Sequence, residues 1–152
     1  MTQRTFSIIK PDAVRKNDTA AILSEIGKAG FGIVAIKKES ITKREAEGFY
    51  AVHRDKPFFP GLVAFITSSP LVAMAVEGPN AIGVIRSMVG ATRPWEAAPG
   101  TIRGDLALEV AQNLIHASDG AETAEAELEL WFPEGTLTYS REIDRWALAP
   151  GG

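Results

Sequence analysis

The chain has 152 residues, 45% hydrophobic and 23% charged, with a mean hydropathy of +0.02; this is the balance of one compact domain and excludes a disordered or fibrous chain. Sixteen Lys and Arg stand against nineteen Asp and Glu, a formal net charge of -3, so nucleic acid and anionic membranes are not favoured partners and an anionic ligand must meet a local cluster. Cysteine is absent and only two histidines occur, which excludes thiol chemistry and disulfides and makes a dedicated metal site unexpected.

The N-terminal segment MTQRTFSIIKPD meets charge and proline too early for a secretory signal, and no later run has the length of a membrane span, so a cytoplasmic protein is expected. Thr5 to Ile9 is a short apolar run closed by Lys10 and Pro11 and predicts a buried strand. Asp18 or Thr19 caps a helix with Ile22, Leu23 and Ile26 on one stripe, and Gly30 ends it. The β-branched run Phe31 to Lys38 predicts a second strand. Thr42 and Glu45 have capping-box spacing and open a helix carrying Phe49, Tyr50 and His53.

KPFFPG, Lys56 to Gly61, predicts a turn, and GLVAFITSS from Gly61 a third strand. Leu71 to Val76 and Ile82 to Met88 read as helical segments separated by Gly78 and Pro79. From Val89 to Gly104 the glycines and prolines break regular structure and leave a long loop of the kind that often carries function. Asp105 to Asn113 predicts a short helix, and Ala126 to Phe132 alternates as a half-buried strand, with Leu128, Leu130 and Phe132 on one face and Glu127 and Glu129 on the other. The order predicts an α+β fold of the ferredoxin-like, split βαβ kind: a four-stranded antiparallel sheet with helices on one face, in a single domain over residues 1–152.

The segment from Asp105 to Ser140 has no Lys or Arg and eight acidic residues, and His116 lies within it. A phosphate brought to His116 must be balanced from elsewhere in the chain, by Lys10 and by Arg86, Arg93 and Arg103. Imidazole suits a phosphoryl carrier, being partly uncharged and nucleophilic near neutral pH. Its second nitrogen needs a carboxylate, for which Glu127 is the candidate. Taken alone, a lone histidine is more often a structural residue.

NLIHASDG, Asn113 to Gly120, together with IIKPDAV from Ile8, FYAVHRDKPFF from Phe49, RSMVGAT from Arg86, PGTIRGD from Pro99 and LWF from Leu130, closely resembles the nucleoside diphosphate kinase family over nearly the whole chain. The resemblance implies that His116 becomes phosphohistidine and that Glu127 with Ser118 supports its ring. It implies that Lys10, Tyr50, Arg86, Thr92, Arg103 and Asn113 surround phosphates and ribose, that Phe58 stacks on the base with help from Leu62 and Val110, and that a base held by stacking is read weakly. It further implies a ping-pong transfer in NTP synthesis, Mg2+ carried by the nucleotide, and a homo-oligomer, tetramer or hexamer, built from dimers. Residues 133–152, with Trp146, form a C-terminal extension expected to pack on a neighbouring subunit.

From the residues alone, Tyr50 reads equally as an amphipathic helix residue, Phe58 as core, Arg86 as a solvated face and His53 as helix surface; Asp12 and Asp119 read as structural. Neither a Walker loop nor a protein-kinase glycine loop occurs, and the close spacing of His, Ser and Asp in HASD does not make a hydrolase triad. The competing non-catalytic reading is a nucleotide-binding relative without turnover. Ala117 stands where the family most often has Gly, Gln112 where it has Arg, Gly120 where it has Ser and Ala20 where it has Gly.

Overall fold

The computed structural model describes residues 2–107 and 114–139. In chain order these form β1 (Thr2–Ile9), α1 (Pro11–Arg15), α2 (Thr19–Lys28), β2 (Gly32–Glu39), α3 (Lys43–Phe49), α4 (Phe59–Ile66), β3 (Leu71–Pro79), α5 (Ala81–Val89), α6 (Ile102–Leu106), β4 (Ile115–Ala117) and α7 (Ala121–Trp131), with one-turn 3-10 helices at Ala51–His53 and Pro94–Glu96. The sheet order is β2-β3-β1-β4, and all three pairings are antiparallel. β3 separates β1 from β2, as the split βαβ arrangement requires, so the ferredoxin-like α+β class holds.

Helices cover both faces of the sheet and not one. Ile22 and Ile26 of α2 and Ile85 and Val89 of α5 pack with Ile9, Val72, Met74, Val76 and Ile115. On the opposite face Ala46 of α3, Val63 and Ile66 of α4 and Trp131 of α7 pack with Phe6, Ile8, Ala73 and Ala75. Alternate residues of β1 and β3 thus enter different cores, because a strand's side chains alternate between faces.

Five elements depart from the sequence reading. The run from Gly61, expected as a strand, lies in α4, where Pro60 stands in the first turn and Val63 and Ile66, three apart, are buried. Leu71 to Val76, expected as a helix, is the core of the central strand β3, buried on both sides throughout. Ala126 to Phe132, expected as a strand, belongs mostly to α7, which turns Ala124 and Trp131 into the core at helical spacing. β4, only three residues long, was not expected at all. The helix expected from Asp105 instead spans Ile102–Leu106, beginning in the expected loop and ending before the extended Ala107; the rest of the expected span, 108–113, lies outside the described residues.

Other expectations meet the structure directly. The Thr42 hydroxyl accepts from the Glu45 N–H at 3.1 Å and Glu45 Oε1 from the Thr42 N–H at 3.0 Å, closing the capping box at the head of α3. α3 ends at Phe49; Tyr50 and His53 fall on and after the junction with the following 3-10 turn. Beyond α7 the chain returns to β2, where the Leu137 N–H donates to the Val34 carbonyl at 2.8 Å and the Tyr139 hydroxyl to the Ile33 carbonyl at 3.2 Å. Trp146 lies outside the described residues.

Candidate active site

Among the described residues β4 is an edge strand that pairs with β1 alone, and His116 stands opposite Ile8. Its imidazole lies between aromatic rings, 6.0 Å from Phe6 and 5.5 Å from Phe49 by centroid. α7 passes beside it, so Glu127 reaches the ring from a helix and not from a strand. His116 Nε2 and Glu127 Oε2 are 2.8 Å apart, a short contact although off the line of a good N–H bond. The other carboxylate oxygen, Oε1, accepts from the Ser118 hydroxyl at 2.6 Å. Ser118 is fully buried, and its own N–H donates to the Phe6 carbonyl at 3.1 Å. The chain Ser118–Glu127–His116 therefore engages one ring nitrogen and leaves Nδ1 as the nitrogen for chemistry.

Every carbonyl of β4 accepts a side-chain donor. Arg103 Nη2 donates to Ile115 O at 2.6 Å, the Ser7 hydroxyl to His116 O at 2.6 Å and Arg86 Nη1 to Ala117 O at 3.2 Å. In an antiparallel ladder the residues flanking a bonded pair turn their backbone groups outward. The guanidiniums of α5 and α6 thus use the outward carbonyls on either side of His116. Arg103 Nη1 also donates to Gly90 O at 3.2 Å; Gly90, at φ 92, bends the chain away from α5.

Lys10, Tyr50, Arg86, Thr92, Arg103, His116 and Glu127 line one cavity of about 810 Å³, together with His53, Asp119 and Glu122. Phe58 and Leu62 do not line it. Phe58 precedes α4, 52% exposed, with its ring 5.6 Å from that of His53. Val110, Asn113 and Gln112 lie outside the described residues. The Ala117 substitution brings no left-handed strain: among the described residues, the non-glycine residues at positive φ are Asn17, Asn80 and Leu114.

Burial, and then Arg86, pull Arg103 down to about 10, where it keeps its charge at neutral pH. Burial raises Tyr50 to about 12, with Glu127 adding to the shift, so its hydroxyl remains a donor. Lys10 is lowered to about 8 by burial and then by Arg103, against the opposing charge of Asp12. Asp119 is held below its usual value by the Thr123 hydroxyl, with Arg86 and His116 contributing. Burial leads the shifts of Lys10, Tyr50 and Arg103, and crowding among the cations adds to those of Lys10 and Arg103, as in a desolvated cleft that gathers charge.

The Lys10 shift gives a pH dependence. The unfolded lysine holds its proton up to about 10.5 and the folded one to about 8; between these values the unfolded chain binds more protons, so this group makes stability rise with pH. Comparing urea midpoints of the parent and Lys10→Met between pH 8 and 10.5 should isolate that rise. In steady-state kinetics kcat/KM should fall as pH passes about 8, where the free protein loses the charge.

Two residues of this neighbourhood escaped the sequence reading. Ser7 interrupts an apolar strand, which was a signal; His53, read as helix surface, lines the cavity. Among the described residues no three His, Asp or Glu side chains gather as a metal site, and no helix is long and apolar enough to cross a membrane.

Comparison with known proteins agrees over almost the whole chain. The family model for nucleoside diphosphate kinase matches residues 3–137. A nucleoside diphosphate kinase of Symbiobacterium thermophilum is 47% identical over 149 residues, 98% of this chain and 99% of the relative; one from Archaeoglobus fulgidus is 48% identical over 142 residues, 93% and 94% of the two. The structure of a halophilic nucleoside diphosphate kinase from Halobacterium salinarum in complex with CDP superposes with a TM-score of 0.91 at 40% identity, covering 97% of this chain and 99% of that one. A family protein from Babesia bovis gives the same TM-score and identity, 0.91 and 40%, over 95% and 99% of the two chains. Fold and relatives place the chain among the phosphotransferases. It belongs to the nucleoside diphosphate kinase family.

Proposed function

We propose that the protein transfers the γ-phosphoryl group of a nucleoside triphosphate to a nucleoside diphosphate through phosphohistidine at His116, and so serves NTP synthesis. The observation that carries this reading is His116 Nε2 held 2.8 Å from Glu127 in the cavity that also gathers Lys10, Arg86 and Arg103. Nδ1 attacks the γ-phosphorus, the bond to the β,γ-bridging oxygen breaks, and the diphosphate leaves. A second diphosphate in the same pocket attacks the phosphohistidine with its terminal oxygen and restores the imidazole. Glu127 stabilises the positive ring as the N–P bond forms, and Ser118 holds Glu127. Arg86, Arg103, Lys10 and the Tyr50 and Thr92 hydroxyls meet the phosphate oxygens, so catalysis is positioning and electrostatics.

Asn113 and Lys10 are assigned to the sugar hydroxyls, and Phe58, Leu62 and Val110 to the base. The half-exposed Phe58 ring supports weak base discrimination, since every base offers a π-face. The CDP held by the Halobacterium relative supports a pyrimidine nucleotide as one ligand. Asp119 and Glu122 line the cavity, oxygen donors that suit the water shell of a magnesium ion arriving on the nucleotide. When bound, that ion supplies positive charge to the phosphate oxygens. A cytoplasmic homo-oligomer, tetramer or hexamer from dimers, belongs to the same proposal.

The test is incubation with γ-labelled ATP without acceptor, followed by a GDP chase. The enzyme should hold acid-labile label and release it as GTP. A nucleotide-binding relative without turnover would be stabilised by ATP yet take no label, and a hydrolase would give free phosphate without GDP.

A further inference from the structure

Leu114 precedes β4 at φ 72, a left-handed conformation that leucine seldom adopts. It is 1% exposed and is gripped from both sides by one short stretch of chain. Its N–H donates to Asp12 Oδ2 at 3.0 Å, and its carbonyl accepts from the Lys10 N–H at 2.7 Å. Asp12 is 4% exposed, and its second oxygen, Oδ1, is buried with no hydrogen-bond partner. A carboxylate kept in this state is a costly way to satisfy one N–H. Strained backbone persists where its surroundings hold it, and it concentrates at functional sites. Two residues beyond Leu114 stands His116, and two residues before Asp12 stands Lys10; both side chains line the same cavity.

We propose that Asp12 is a positioning residue: its carboxylate holds Leu114 in the turn that delivers β4, and so sets His116 at the distance from Lys10 that phosphoryl transfer needs. This rests on the reading of His116 as the phosphoryl carrier. Asp12 touches neither substrate nor the reacting atoms. It acts through the backbone of Leu114, and the Ser118–Glu127 pair then acts on a ring already placed. Loss of the clamp frees Leu114 to leave the left-handed region, which moves the imidazole, while Arg86 and Arg103 stay carried by α5 and α6.

The test is single-turnover formation of phosphohistidine from γ-labelled ATP at pH 6.5, where Lys10 stays charged, in the parent chain, Asp12→Ala and Asp12→Asn. Asp12→Ala should slow labelling roughly a hundredfold, the effect of a displacement of about 1 Å at a reacting group, with the nucleotide concentration for half-maximal rate little changed. Asp12→Asn, whose amide oxygen accepts the same N–H, should stay within a few-fold of the parent. Ile26→Ala, in the core under α2, should lower stability without slowing labelling per folded molecule. The Leu114 amide should exchange slowly with solvent in the parent.

Labelling by Asp12→Ala at the parent rate would overturn the proposal, as would an Asn variant as slow as the Ala one, or a Leu114 amide that exchanges like an exposed loop. Should Asp12→Ala not fold, Asp12→Asn and the amide exchange still decide. A parent chain that takes no label overturns the carrier reading itself, an outcome distinct from equal labelling of parent and variant.

Discussion

A chain carrying His116→Ala is expected to take no covalent label from γ-labelled ATP and to lose phosphate exchange between nucleotides by on the order of 10⁴-fold or more, the scale on which a covalent nucleophile matters. Its fold should survive, because the ring is 27% exposed and Glu127 keeps the Ser118 hydroxyl at 2.6 Å. Nucleotide should still raise the melting temperature, since Arg86 and Arg103 are anchored on the backbone of β4 and not on the imidazole. Retained binding with lost transfer is therefore the expected signature. Exchange at the parent rate would mean that phosphorus passes directly between nucleotides.

The second large effect is expected at Arg103. It is 7% exposed and joins Ile115 O, at 2.6 Å, to Gly90 O, at 3.2 Å. Arg103→Met removes a charge from the phosphate pocket and leaves two carbonyls short of a donor. Loss of one preorganised donor to a developing charge lowers turnover by about 10²–10³-fold, and each buried group left without its partner costs about 1–3 kcal/mol. Both kcat/KM and the urea midpoint should fall together, unlike in His116→Ala. Arg103→Lys should recover only part of either, since one ammonium cannot reproduce a fork that serves two carbonyls and a phosphate.

The site was more legible than the fold around it. His116, Glu127, Lys10, Arg86 and Arg103 were legible as one cluster because a histidine in a long stretch without Lys or Arg demands charge from elsewhere and the matching motifs supplied the partners; Arg93, named with them, instead pairs with Glu96 at 3.4 Å and does not line the cavity. Their placement was not legible in the same way. The run from Gly61 to Ser69 is apolar without a clear period, and such runs do not separate a strand from a buried helix. Leu71 to Val76 is buried on both faces and so lacks the alternation that marks a half-buried strand. Glu127 to Leu130 alternates by accident of a helix whose inner face is made by Ala124, Leu128 and Trp131. β4 has three residues, too few for any periodicity, and exists because β1 and the side chains of Ser7, Arg86 and Arg103 take up its backbone groups.

That last arrangement reaches beyond catalysis. A sheet's outermost strand ordinarily offers a row of vacant acceptors on which a foreign chain can build, the first step of fibre growth. Here the two acceptors facing outward from β4 are already taken by cationic side chains, and the margin they guard is three residues long. The groups assigned to gripping phosphate thus also leave this short margin without a vacant outward acceptor, and substitutions there are expected to expose one.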